Sequence, residues 1–428
     1  TLRMRQGDFS ELLTPNPLLR VAQLNDPRTG QPIPGNIIPA SLLSSNGLGL
    51  LRAYPEPLPG FQLGAANFFQ VAPQPQNQRK DTVSIDFNPY LSHSFRFRFQ
   101  NYNYNVVNPF TGGTDRAPRT FDRPNQTASL NYIYTISPTT VNEFLATASV
   151  DRVKIGVLTA GNRFDRTQYG INYPYIFPER KEIFNKIPTV AINAFATLDG
   201  GPYPASSSGP IFQLANNTTK IMGNHTWKFG VYFDRQGQND FDQINVTGVP
   251  GGTNNQNGRF AFTDNRANGS GLAIANAAMG LFSTYAEIGP RAYTPYRSMG
   301  FEWFVQDSWR VNERLKLELG LRHTMVQPYY YSLWRNMAVF DPNRYDPSKA
   351  AVLDSRTGNV IAGDRYNGVV IPGTGWPEAA RGRVAVADSG EFDRLFSGGS
   401  KTWGDFQAFN FQPRVGIAYQ FNSRSVLR

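Results

Sequence analysis

The stretch Leu315-Lys316-Leu317-Glu318-Leu319-Gly320-Leu321-Arg322 decides the fold. Its side chains alternate without a break. Four leucines point one way, and Lys316, Glu318, Gly320 and Arg322 point the other. Successive side chains of an extended strand lie on opposite faces, whereas a helix would scatter this set around its circumference. The period is two, and the strand has one oily face and one wet face.

Working outward, the same pattern recurs. Val83, Ile85 and Phe87 oppose Ser84, Asp86 and Asn88. Phe95, Phe97 and Phe99 oppose Arg96, Arg98 and Gln100. Tyr102 and Tyr104 continue that apolar set one residue out of step, which predicts a β-bulge near Asn101. Leu130, Tyr132 and Tyr134 oppose Ser129, Asn131 and Thr135. Trp227, Phe229, Val231 and Phe233 oppose Lys228, Gly230 and Asp234. Phe301, Trp303, Val305 and Trp309 oppose Glu302 and Gln306. Phe409, Phe411, Val415, Ile417, Tyr419 and Phe421 oppose Asn410, Gln412, Arg414, Gly416 and Gln420. Pro413 falls on the apolar face, costs a ladder hydrogen bond and predicts a second bulge.

The connections are lopsided. Short links fall near 91–93, 137–140, 223–225, 311–314 and 422–424, and long polar stretches near 106–125, 154–211, 239–295 and 329–408. A meander with tight hairpins at one end and sprawling ones at the other is the outer-membrane pattern of short periplasmic turns and long external loops. Strands of about 11 residues, roughly 36 Å, tilted near 40° cover about 28 Å, close to the apolar band of such barrels. A soluble sandwich, propeller or carbohydrate-binding β-protein also alternates, but loops this long are rare in compact domains. One compact Ala-rich stretch, 271–280, reads as a short helix inside the third long loop.

Composition agrees. No run approaches the roughly 18 apolar residues of a spanning helix, and the mean hydropathy of −0.41 is what a strand that shows lipid every second side chain produces. With no cysteine, disulfides, thiolate nucleophiles and Cys-ligated metals are excluded. The net charge of +10 is scattered and forms no basic helix, so nucleic acid is not an expected partner. It points instead to a solvated surface, or to anionic groups at the cell surface such as lipid phosphates. The chain starts at Thr1 without a leader and ends in what reads as the start of a strand, so it is read as an internal piece of a longer barrel.

Several segments resemble Oar-like TonB-dependent receptors. Gly7-Asp8-Phe9-Ser10 and Asp26-Pro27-Arg28-Thr29-Gly30-Gln31-Pro32-Ile33-Pro34-Gly35-Asn36-Ile37-Ile38-Pro39 resemble a loop after early barrel strands. Gly223-Asn224-His225-Thr226-Trp227-Lys228-Phe229-Gly230 resembles a recurrent turn and strand. Val305-Gln306-Asp307-Ser308-Trp309-Arg310-Val311, running on to Gly320-Leu321-Arg322, resembles a hairpin of that family, and Pro413-Arg414-Val415-Gly416-Ile417-Ala418-Tyr419 its next strand. His323 stands where an aromatic is usual. The resemblance implies a larger barrel of 22 strands with an N-terminal plug, and uptake powered by the TonB system.

The expected fold is all-β, an antiparallel up-and-down transmembrane β-barrel, of which about nine to ten strands are present. Residues 1–428 would be part of one outer-membrane β-barrel domain. Residues 1–79 form an external loop segment, 80–428 carry the strands and the four long loops, and no plug domain is included. Arg96, Arg98, Lys228, Glu302, Arg322 and Arg414 are candidates to face the lumen, where they touch plug or ligand or simply pair with neighbouring strands. Trp227, Trp303, Trp309, Tyr329, Tyr330, Tyr331 and Trp334 are candidates for interfacial aromatic girdles. His93, His225 and His323 are too far apart in this reading for a shared metal site, and Asp240 and Asp242 read as solvated loop carboxylates. No Walker loop, nucleophile elbow or zincin motif occurs, so neither enzymatic activity nor a cofactor is expected. The expected partners are outer-membrane lipid, the TonB system and an extracellular ligand. The expected role is a receptor-like transporter of the bacterial outer membrane; the alternative is a structural or adhesive barrel that does not import.

Overall fold

The computed structural model describes residues 1–15, 21–60, 66–179, 181–201, 204–241, 253–289, 293–327, 331–354, 359–404 and 406–428. The chain first forms a helix, α1 (Ser45–Ala53), and then enters the main sheet through β1 (Gln76–Tyr90), β2 (His93–Asn108), β3 (Arg119–Asp122), β4 (Asn125–Ser137) and β5 (Thr140–Val157). After a short β6 (Thr189–Ile192) come β7 (Ala205–Met222) and β8 (His225–Phe241). Then follow β9 (Arg259–Phe262), α2 (Ala273–Ala278), β10 (Thr284–Ala286), β11 (Thr294–Arg310), β12 (Leu315–Val326) and β13 (Tyr331–Ser332). Two small ribbons, β14 (Val339–Phe340) with β17 (Val369–Val370) and β15 (Val352–Leu353) with β16 (Val360–Ala362), precede β18 (Gln407–Asn422) and β19 (Ser425–Leu427).

The large sheet is an antiparallel meander, β1-β2-β3/β4-β5-β7-β8-β11-β12-β18-β19, and β1 and β19 are its open edges. β3 and β4 lie end to end between β2 and β5 in one register, parted at Pro124, which has no N–H to give the ladder. Each expected short link is a tight turn at one end of the sheet, and each long link leaves from the other end.

Register aligns the oily residues across the strands. Ala146, Leu214, Phe233 and Phe301 form one row, and Trp309, Leu317 and Ile417 another. This face is open: Phe409 is 81% exposed, Val415 70%, Phe87 60% and Leu214 46%. Each such side chain left in water forgoes about 1.5–3 kcal/mol, so lipid is the solvent that makes the sheet stable. Leu315, Leu317, Leu319 and Leu321 belong to this open face and not to the buried core. On the opposite face Gly230 makes room for an aromatic ring. A Cβ there would stand 2.1 Å from Phe304 Cε1 and 2.5 Å from Asn217 Oδ1.

The dry core lies beyond the loop end of the sheet. Phe9, Leu12, Leu24, Leu50, Ile187, Val190, Phe260, Phe262 and the alanines of α2 pack into one cluster, forming a cap. Ser44 Oγ accepts the Gly47 N–H at 3.1 Å and starts α1. Gly47 lets α1 meet α2, since a Cβ would lie 2.2 Å from the Ala277 carbonyl oxygen. The parallel pair β6–β9, with β10, forms a small second sheet in this body. Val106, Ala117, Val157 and Ala205 are buried where the cap meets the sheet; by alternation Val106, Val157 and Ala205 point to the polar face, so the cap covers that face and leaves the oily one free.

Four expectations need correction. Residues 1–79 are no plain loop segment, because the part before β1 supplies α1 and much of the cap core. The long strands have 12 to 18 residues, so three long links are shorter than read, 109–118, 158–204 and 242–293, and the fourth, 327–406, is shifted by two residues. Hydrogen-bonded pairing runs on where the oily alternation stops, because the ladder needs backbone only. There is no bulge near Asn101, since one register holds from Gln76↔Val106 to Phe87↔Phe95. The faces exchange polarity there instead. Above the oily band Tyr102, Tyr104 and Val106 turn toward the capped side, where Tyr102 Oη donates to Gln78 Oε1 at 3.3 Å. Nor is there a bulge at Pro413, which pairs in register with Leu321; the shift lies nearer the strand end, between Thr324 and Val326. The Gln420 N–H is given to Arg314 on the β12 side, so alternation turns the Pro413 nitrogen to the β19 side and leaves the ladder with β12 intact.

Candidate functional site: polar wall and loop cap

The six charged candidates share the polar face, as period two requires, but they are not one cluster. Arg96 Nε donates to Asp86 Oδ1 at 2.6 Å across β1 and β2. Arg322 pairs with Glu302 across β11 and β12. Arg98, Lys228 and Arg414 are exposed and make no ion pair among the described residues. Between them the wall is polar: Asn131 Nδ2 donates to Glu143 Oε1 at 2.8 Å, and Gln213 Nε2 to Tyr232 Oη at 3.0 Å.

The aromatic candidates lie on the oily face at different heights. Trp227 and Trp309 flank His225 at the short-turn end, with ring centroids 6.1 and 5.2 Å from the imidazole. Trp303 sits farther along β11, 5.5 Å from the His323 ring. At the loop end Trp334 packs on Tyr293, and Lys401 Nζ stands 4.2 Å over the Tyr331 ring. Tyr329, Tyr330 and Asp242 lie outside the described residues. Asp240 is on β8 and accepts from Gln238 Nε2 at 2.6 Å.

The three histidines are held apart. His93 Nδ1 meets Tyr132 Oη at 2.8 Å, His225 Nδ1 meets Asp307 Oδ2 at 2.6 Å, and His323 Nε2 meets the Ala408 carbonyl at 2.6 Å. His323 lies between Trp303 and Phe411 and so fills an aromatic's place. Among the described residues no group of His, Asp or Glu is arranged to hold a metal.

The cap holds buried polar groups that sequence reading missed. Asn36, fully buried at φ 54°, accepts the Leu24 N–H and a Gln23 Nε2 proton, both at 2.9 Å, and donates to the Ala22 carbonyl at 2.7 Å. This single amide ties together the two ends of the Asp26–Pro39 segment. Lys181 Nζ and Glu287 Oε1 form an enclosed ion pair of 2.7 Å. Glu287 also accepts from Tyr285 Oη at 2.5 Å and from the Ile176 and Phe177 N–H groups at 3.0 Å each. Burial pushes this carboxyl up, but the four donors outweigh it and hold it below the usual range. Lys186, 1% exposed, donates to the Gly200 carbonyl at 2.7 Å and Asn255 Oδ1 at 2.6 Å, and burial brings its ammonium down to about 7. Little in the local sequence marks these groups, because all their partners but Tyr285 lie 12 to 111 residues away.

Beside this core is a cavity of about 360 Å³, lined among others by Met4, Leu51, Tyr54, Phe68, Phe195 and Ile274. Arg5 at its wall is turned to the Tyr54 and Pro55 carbonyls at 2.9 and 2.5 Å. The volume is in the range of small-ligand sites, and the lining is mostly apolar with a few polar groups.

Comparison with known proteins fits the sheet. The family model described as outer membrane beta barrel domain matches residues 1–428. No curated protein matches. Among solved structures, the open form of the ferric-catecholate import receptor Fiu from E. coli K12 is similar at 12% identity and a TM-score of 0.30, over 82% of this chain and 52% of that one. The chain thus spans about half the length of that receptor. With an oily face open along every long strand, a wet face opposite it and the family match over its whole length, the chain belongs to the outer membrane beta barrel domain family and resides in the bacterial outer membrane.

Proposed function

We propose that this chain is the loop-bearing part of a receptor-type transporter: the cap binds an extracellular ligand, and the polar wall leads it across the membrane. One observation carries the reading. The cap packs over the polar face at the loop end and holds a cavity whose lining includes Gly113 and Thr114 of the link between β2 and β3. A barrel that served only as a scaffold would need no dry, cavity-bearing body at that place. The resemblance noted in the sequence adds TonB as the energy source and a plug as the gate. Uptake would be binding followed by movement, with no bond made or broken. The apolar lining with Tyr54, Phe68 and Phe195 suits a ligand with an aromatic or apolar part.

The test uses the full reading frame in its outer membrane. Cells with the gene, without it and without TonB are grown in one complex medium, and solute depletion is compared by mass spectrometry. The expected result is a solute class removed only when both gene and TonB are present, with Tyr54→Ala slowing its removal. Equal depletion in all three strains would reject transport in favour of the structural or adhesive alternative.

A further inference from the structure

The oily face ends at the loop side in a group of cations, and the two on β8 and β11 have no acid beside them among the described residues. By register, outward positions on β5, β7, β8 and β11 just above the oily band include Arg152, Lys154, Arg235 and Arg297. On these four strands the described residues paired with them carry no carboxylate; the acid in these rows, Asp122 on β3, stands opposite Lys154, away from Arg235 and Arg297. Arg235 is exposed and has no hydrogen bond or ion pair among the described residues, and its charge is felt at Arg297 on the next strand. Diagonal neighbours of this kind lie about 7–8 Å apart at the backbone. Two like charges are thus held side by side without compensation.

The placement of Arg297 is built into the sheet. Its Nη1 donates to Asn239 Oδ1 at 2.8 Å and to the Tyr296 carbonyl at 2.6 Å. The guanidinium lies across Gly237, where a Cβ would come within 3.1 Å of Nη1 and 2.9 Å of Pro210 Cγ. Tyr331 pairs with Arg297 on its other side and carries Lys401 over its ring. Phe212 and Met299 flank Arg235 in its own row, and Leu214, Phe233 and Phe301 in the row below are open to lipid.

We propose that this patch binds the phosphorylated headgroup of an outer-leaflet lipid, centred on Arg235 and Arg297 with Lys401 and Arg152 at its flanks. The occupant follows from continuity. A molecule whose tails lie on Leu214, Phe233 and Phe301 brings its headgroup to the height of Arg235, and planar guanidinium groups match phosphate oxygens with paired hydrogen bonds. An acidic peptide would match the charge but not the oily rows beneath it. The proposal needs the membrane position of the chain and does not depend on transport.

The probe is diphosphoryl lipid A, with its dephosphorylated form as comparison, titrated into the full-length protein in a neutral detergent and read by native mass spectrometry. Wild type should retain the diphosphoryl form at least about tenfold better than the dephosphorylated one, with binding weakening as salt rises. Arg235→Gln with Arg297→Gln should abolish that preference. Arg235→Lys with Arg297→Lys should restore part of it, and Arg98→Gln with Arg414→Gln on the opposite face should leave it intact. Heat-modifiability on gels checks that each variant is folded, and the comparison between the two lipids needs no variant at all. Equal binding of both lipids, an unchanged preference in the double Gln variant, or displacement by inorganic phosphate alone would overturn the proposal.

Discussion

Leu214→Arg tests the membrane face most directly. Leu214 stands midway along β7, 46% exposed, in a row with Ala146 and Phe233 and without an acidic neighbour that could rescue a cation. The row lies next below that of Arg235, between the midplane and the interface, so if it meets lipid Arg there costs about 1.5–2.5 kcal/mol. That is a change of about 10- to 70-fold in the folding equilibrium. If the row met water, a half-exposed substitution would stay within about 0.5 kcal/mol. Ala215→Arg is the matched control, since the next residue points to the polar face and should cost less than about 1 kcal/mol. Both variants of the full-length protein are refolded into lipid vesicles across a urea series, and folded fraction is read by gel mobility and tryptophan fluorescence. Equal midpoints for the two variants, or a larger loss for Ala215→Arg, would refute the assignment of faces.

Other outcomes follow from the cap and the wall. Asn36→Ala leaves the buried Leu24 N–H and Ala22 carbonyl without partners and should cost the cap about 2–4 kcal/mol, seen as faster hydrogen exchange over the first 60 residues with the strands unchanged. Lys186 has a folded value near 7, below its value of 10.5 in the unfolded chain, so the unfolded state binds the extra proton between those limits. Cap stability should therefore rise as pH rises from about 7 toward 10.5 and stay flat below 7 as far as this group is concerned. Its neighbours Asp199 and Lys181 set the background. Resistance to proteolysis across that range measures it, and Lys186→Met should flatten the profile. Gly230→Val drives a side chain into Phe304 and Asn217 and should cost about 1–3 kcal/mol, with the folded gel form lost at lower temperature.

Much of the sheet was legible because its signal is local. A side chain's face depends only on whether its number in the strand is odd or even, so Arg96, Arg322 and Arg414 could be assigned without coordinates. Tight turns such as 223–224, where Gly223 takes φ 57°, announce themselves in two residues. The reading failed where a strand crosses from one surrounding to another. Tyr102 and Tyr104 looked like a slipped oily face, but the cap above the membrane makes the inner side the dry one.

The sequence by itself determined the alternation, the sidedness of each strand, the tight turns and the membrane, because lipid on one side and water on the other impose a rule on every second residue. The tertiary structure alone decided the cap. Phe9, Leu50, Val190, Phe260 and Ala275 come from separate segments and make a core only once the meander has brought its long links to one end. Asn36, Lys186 and Glu287 are legible only there, since burial and partners far along the chain, not local pattern, give a polar group its role.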